Sequence, residues 1–231
     1  MPQSIQPQSV NALIKWTIEQ EMHLEYLPQR HKLTISKAGA RIGGLRLPWN
    51  FAWDPTSMQA IPEETNWVLF LIRAGIAAVG YFENGTNLSH NVFRAYMVRK
   101  KQGKSQIKYL KTKGKSRAGS RVRLGASDLF FKEINEKVST YLRHYPVDRI
   151  GYACSKTLWP FLFLTGSDLQ KDDPRLCKIP KHVQHPTYEV LLDTNERLLQ
   201  ATLDVDPAQA HWFDGHPSSR NQFPGEEEEN W

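Results

Sequence analysis

The sequence predicts an α/β protein built on a mixed β-sheet with flanking helices. Three observations carry this prediction. Three β-rich apolar runs, Trp67 to Arg73, Ile76 to Phe82 and Val92 to Arg99, follow one another, broken by Ala74-Gly75 and Asn84-Gly85, the dipeptides of tight turns. Two segments with helical spacing lie beyond them, from Ser127 to about Arg143 and from Thr187 to about Gln200. Each is followed by a further strand-like run, at 147–154 and at the ATLDVD stretch ending at Asp206, so helices and strands alternate as in a layered α/β domain.

The elements follow in order. Residues 9–27 place Val10, Leu13, Ile14, Thr17, Ile18 and Met22 on one stripe, with Ser9 as a cap and Pro28 as a stop, which reads as an amphipathic helix. A short strand is expected at 31–36. The following AGARIGGLRLPWNFAWDP, residues 38–55, reads from its glycines and prolines as an irregular connection. Gly39, Gly43 and Gly44 precede no helix, so they form no nucleotide-binding fingerprint. The three β-rich runs read as an antiparallel meander. The last one feeds directly into KKQGKSQIKYLKTKGKSRAGSRVRLG, which has no sustained period and reads as a long mobile loop, a length that in compact domains marks function or disorder. In the Ser127 helix, Phe131, Ile134, Val138, Tyr141 and Leu142 share one side. After Pro207 the chain turns polar and ends in EEEENW, an acidic tail expected to be flexible and able to shield the basic loop. His211 and His216 in that tail read as solvated rather than as metal ligands.

Composition narrows the function classes. No apolar run approaches the roughly 18 residues of a membrane span, and the opening MPQSIQPQS has no signal-peptide character, so a cytoplasmic protein is expected. Cys154 and Cys177 are too few for a disulfide framework and lack zinc-like spacing, and Cys154 reads as a core residue. The net charge of +6 conceals an asymmetry: residues 94–123 hold 12 of the 30 Lys and Arg and no Asp or Glu. A solvated face ordinarily mixes signs. A one-sign segment repels itself until an anion neutralises it, so the segment predicts a polyanion partner, and nucleic acid above all.

The residues around that segment resemble a known family. His90-Asn91-Val92-Phe93-Arg94-Ala95-Tyr96-Met97-Val98-Arg99, then Gly103-Lys104-Ser105-Gln106, then Ala118-Gly119 with Arg121, Asp173-Pro174-Arg175-Leu176, Ile179-Pro180 and Pro186-Thr187-Tyr188-Glu189 keep their order over roughly residues 65–205. The pattern resembles the Vms-one-like release factors, peptidyl-tRNA hydrolases of ribosome quality control related to the catalytic domain of eukaryotic and archaeal termination factors. This chain lacks the paired Cys and His zinc finger, the ankyrin repeats and the coiled coil of the eukaryotic members, and resembles a minimal version. The resemblance implies a release-factor catalytic domain of RNase H-like topology with a long basic catalytic loop.

It also implies the chemistry. Gln106, in the family's Gly-x-small-Gln spacing, becomes the catalytic residue, supported by Gly103 and Ser105. A glutamine has no useful pKa, so it would act by placing water or through its backbone N–H, not as a general base. Arg94, Arg99, Lys100, Lys101, Lys104, Lys108, Lys111, Lys113, Lys115, Arg117, Arg121 and Arg123 would contact RNA phosphates, and Tyr109 would stack on a base. Tyr96 reads as core. No cofactor or metal is expected. The partners implied are the large ribosomal subunit, through its rRNA, and peptidyl-tRNA, with the protein monomeric and in the cytoplasm. The expected organisation is an N-terminal helix and irregular extension (1–64) packed on the core, a catalytic domain (65–206, basic loop 100–123) and an acidic tail (207–231). Two other readings stay open: an endonuclease cutting the tRNA 3′ CCA end, and a non-catalytic ribosome- or RNA-binding factor.

Overall fold

The computed structural model describes residues 2–95, 116–163, 167–179 and 183–217, with the backbone alone for 116–127. In chain order the elements are β1 (Gln3–Ile5), α1 (Val10–Glu19), β2 (His23–Leu27), β3 (Lys32–Lys37), β4 (Ala40–Arg46), β5 (Phe51–Asp54), β6 (Gln59–Pro62), β7 (Asn66–Arg73), β8 (Ile76–Glu83), β9 (Thr86–Arg94), α2 (Ser116–His144), β10 (Arg149–Cys154), β11 (Leu176–Lys178), α3 (Tyr188–Leu198) and β12 (Ala201–Val205). They form two compact units, Met1–Glu63 with Arg197–Trp231, and Glu64–Glu196. Among the described residues no helix is long and apolar enough to cross a membrane.

The first unit is an antiparallel sheet in the order β1-β12-β4-β3-β2, with the hairpin β5-β6 beside it. Val10, Leu13 and Ile14 of α1 bury into a core with Leu33, Ile35, Leu45 and Leu203. The side chain of Asn11 pins α1 to β6 through paired bonds with the Ala60 backbone, both 2.8 Å. Two expectations fail here. The first helix ends at Glu19, and His23–Leu27 is strand, because Glu21 turns the chain at φ 57 and residues 23–27 pair with β3; sheet pairing outweighs helical spacing in this short stretch. Residues 38–55 are not irregular, since β4 and β5 occupy most of them. Gly43 and Gly44 are there for close approach. A Cβ on Gly43 would lie 2.8 Å from the Asp204 carbonyl, and one on Gly44 would lie 2.2 Å from Lys32 Cε. Lys32 thus crosses β4 over Gly44 to reach Asp204 Oδ2 at 3.0 Å. Burial pulls the Lys32 ammonium down from its ordinary pKa, and the hydrogen bond to Asp204 opposes that pull.

The tail expectation also changes. Pro207–Phe213 is a short 3-10 helix capped by Asp206, which accepts from Ala208 N at 3.0 Å. Phe213 joins the first unit's core. His216 is buried, 6.3 Å edge-on from Trp16, not solvated, and burial lowers its pKa. His211 is exposed. The EEEENW run lies outside the described residues.

The second unit is a mixed sheet in the order β11-β10-β7-β8-β9. The first three pair in parallel, and β7, β8 and β9 form the expected antiparallel meander. Asn84 (φ 43) and Gly85 (φ 88) make the two-residue turn between β8 and β9, the conformation that asparagine and glycine supply at least cost. Pairing therefore begins at Thr86, earlier than the apolar run at Val92 suggested, and continues to Arg94. Thr86–Asn91 is mostly polar, with Leu88 exposed, as suits an edge strand. On one face of the sheet lie Phe130, Phe131, Ile134, Val138 and Tyr141 of α2, against Val68, Phe70, Val79 and Tyr81. Burying those five side chains contributes roughly 8–15 kcal/mol as an upper estimate. On the other face α3 seats Leu191 near Gly80 and Asn195 beside Trp67, whose Nε1 donates to Asn195 Oδ1 at 3.0 Å.

Helix α2 starts at Ser116, not Ser127, so 116–123 of the expected loop are helical. A helix already docked through its second half extends at the gain of one hydrogen bond per residue, with no new nucleation. Residues 96–115 lie outside the described residues.

Gly44→Ala should cost about 1–3 kcal/mol in chemical denaturation, because the new methyl evicts Lys32 from Asp204. In a Lys32→Ala background the same substitution should cost much less, and equal costs in both backgrounds would remove this account.

Candidate functional site

The basic segment is rooted at the end of β9 and the start of α2. Strand β9 brings the chain to Arg94, which pairs opposite Ile76 at the start of β8 and is exposed. Ala95 N then donates to Gly75 O at 2.9 Å, and this bond is the last described anchor before residue 96. The chain returns at Ser116, the first residue of α2, whose first turn holds no acidic residue. The positive end of a helix dipole without a nearby carboxylate is a setting that favours anions.

Of the residues singled out by sequence, Arg94 is placed at the carboxyl end of β9. Arg117, Arg121 and Arg123 lie on the backbone of α2. Gly103, Ser105 and Gln106, together with Arg99, Lys100, Lys101, Lys104, Lys108, Tyr109, Lys111, Lys113 and Lys115, lie outside the described residues, as does Tyr96. The same edge of the sheet carries the carboxyl ends of β7 and β10, because both run parallel to one another and antiparallel to β8.

Several motif residues outside the basic segment are framework. Asp173 holds Arg175 in a two-pronged pair, Nη2 to Oδ2 at 2.7 Å and Nε to Oδ1 at 3.0 Å, and also accepts from Arg175 N at 2.9 Å. Arg175 Nη1 donates to Val147 O at 3.2 Å, which ties the entrance of β11 to that of β10. The hydrogen bond from the Arg175 side chain holds the Asp173 carboxyl below its ordinary pKa. Tyr188, at the start of α3, stacks on His90 of β9 with ring centroids 3.6 Å apart and planes 10° from parallel. Val190 N donates to Thr187 Oγ1 at 3.3 Å, capping α3. The sequence showed these residues as ordered motifs; their pairing across the fold had no signal in spacing alone.

Cys154 ends β10, half-buried and packed against the second unit's core, and burial raises its thiol to about 11. Cys177 is buried in β11. Among the described residues, no group of three His, Cys, Asp or Glu side chains could hold a metal ion.

The framework is therefore an α/β domain that delivers a one-sign basic segment from one edge of a mixed sheet. The family model for the Bacteroidetes VLRF1 release factor matches residues 67–205, more than half of the chain, and the chain belongs to that family. Release factors act at the ribosome, and the role of this chain is ribosome-associated release or quality control. No curated protein matches the chain. A solved structure titled "Vms1 mitochondrial localization core" shares 11% identity, with 85% of this chain and 98% of that chain covered and a TM-score of 0.45. The family assignment stands on the sequence match.

Asp173→Ala should lower stability by about 1–2 kcal/mol at neutral pH, the worth of a largely buried charged pair that is still partly reached by water. A depressed carboxyl stabilises the fold above its unfolded pKa and loses that contribution as the pH falls through the folded value. The difference between variant and wild type should therefore shrink below about pH 4, which denaturation at a series of pH values will measure. Cys154 should alkylate at pH 8 far more slowly in the native chain than in urea, because its thiolate is scarce; equal rates would contradict the burial assigned to it.

Proposed function

We propose that this protein is a peptidyl-tRNA hydrolase, freeing nascent peptide from tRNA on stalled ribosomes or large subunits in the cytoplasm, and that it works as a monomer without a cofactor. One observation carries the reading: Gly103-Lys104-Ser105-Gln106 lies inside the family match and inside the window that holds 12 bases and no acid. The bases bring the segment to RNA, whose phosphates position a protein without specifying sequence. Gln106 then places a water against the ester carbonyl. Holding that water converts a bimolecular attack into an effectively intramolecular one, worth up to about 7–11 kcal/mol in favourable cases, and a backbone N–H at Gln106 would meet the developing oxyanion. Gly103 allows close approach of the backbone, and Ser105 is small enough for a narrow cavity.

The strand order supports the finer fold reading. A three-strand antiparallel meander, then a crossover through α2 to β10 running parallel to β7, with β11 outside it, is compatible with an RNase H-like topology.

At saturating protein, Gln106→Ala should slow single-turnover peptide release from purified stalled large subunits by about 10²–10³-fold. Its binding to the subunit should remain near wild type. Changing Lys111, Lys113 and Lys115 to Glu should instead weaken binding and reduce its salt dependence, each lost phosphate contact lowering the log–log slope by about 0.7–0.9. Release at the wild-type rate by Gln106→Ala would transfer the role to another residue or to tethering alone. Nucleotides left on the freed peptide would replace hydrolysis with cleavage of the tRNA end.

A further inference from the structure

Strands β7 and β10 end side by side, with Ile72 opposite Cys154 in parallel register. From there the chain leaves β7 toward β8 on one side, and leaves β10 toward β11 on the other. Adjacent parallel strands whose connections depart in opposite directions leave a crevice at their carboxyl ends, the place where open α/β sheets take ligands. In this protein the crevice is a pocket of about 380 Å³, at the small end of the range for ligand sites and of a size for one monomer unit rather than a folded element.

Its lining has a definite chemistry. Ile72, Ala153 and Leu158 give an apolar floor, and Arg73, Ser155 and Thr157 give a polar rim. Arg73 Nη1 donates to Gln184 O at 3.0 Å, and since a guanidinium carries five N–H donors, this bond orients the fork without exhausting it. Ser155 Oγ and Thr157 Oγ1, also in the lining, lie 2.9 Å apart. Among the described residues no carboxylate lines the pocket. A flat, partly apolar ring carrying an anion suits such a lining, and a cation or metal does not.

The position of the crevice indicates where that anion comes from. Ala74 lines it, and the next residue, Gly75, accepts the bond from Ala95 N that anchors the root of the basic segment. The pocket therefore lies beside the root of the basic segment, at Ala95. We propose that this crevice binds one unpaired nucleotide of RNA, with the base on the apolar floor and the phosphate on Arg73. The inference rests on the release-factor reading only for the identity of the polyanion, and Gln106 takes no part in it.

The test uses the full chain, with adenosine 5′-monophosphate, adenosine and a single-stranded RNA hexamer as probes, in calorimetry and amide-shift mapping. The monophosphate should perturb Ala74 and Ala153, and the hexamer should displace it. Arg73→Gln, at an exposed position, should weaken the monophosphate by about tenfold, the loss of one charge-assisted contact, and leave adenosine unchanged. Thr157→Trp, also exposed, should fill the mouth and block all three. Binding that neither variant alters, or no binding at all, would overturn the site. Monophosphate binding that the hexamer cannot displace would overturn RNA as the occupant. Binding is scored without peptide release, so a failure here leaves the role of Gln106 standing, and an unaltered release rate in Gln106→Ala leaves the crevice standing.

Discussion

Strand β7 is the constraint on which the second unit depends. Its residues Trp67 to Ile72 are buried on both faces of the sheet, so its backbone groups have no recourse to water and must be met by strands on both sides. On one side β8 returns immediately through a two-residue connection, with Arg73 opposite Ile76. On the other side β10 arrives only after the crossover through α2, in parallel register from Arg149 opposite Trp67 to Cys154 opposite Ile72. Once these two pairings are made, the carboxyl ends of β7, β9 and β10 share an edge. The root of the basic segment at Ala95 and the crevice both lie at that edge.

This arrangement separates two jobs that would conflict in one element. Burying unpaired cations is costly, so a framework that is stable without the one-sign segment avoids that cost. Helix α2 is where the two meet. Its second half is an apolar face sunk into the sheet, while its first half carries Arg117, Arg121 and Arg123. The framework in turn is fastened by polar groups: Asp173 with Arg175, Asn195 between Trp67 and the Gly85 carbonyl, and His90 against Tyr188.

The first unit solves its own packing problem in the same physical terms. Its sheet closes with β12, which comes from the far end of the chain and pairs between β1 and β4. The approach is close enough that two glycines are required in β4, and one of them makes room for a lysine crossing the strand to a carboxylate. The two ends of the chain are bound together through this sheet.

The sequence by itself determined the class of the fold, the meander, the Asn84-Gly85 turn, the helices that face the sheet and the segregation of charge, because periodicity, turn chemistry and charge sign are local properties. Gln106 was legible only through its spacing within a resemblance, since a lone glutamine carries no signal of its own. Tertiary structure alone decided the rest. Residues 23–27 became strand because β3 was there to pair with them, and Gly43 and Gly44 became contact points because Asp204 and Lys32, 172 residues apart in the chain, come to them. His216 left the solvent because Trp16 covers it. The crevice at the ends of β7 and β10 had no sequence signature at all, for it is made by strands about eighty residues apart, and a cavity between two strands exists only when the register that joins them does.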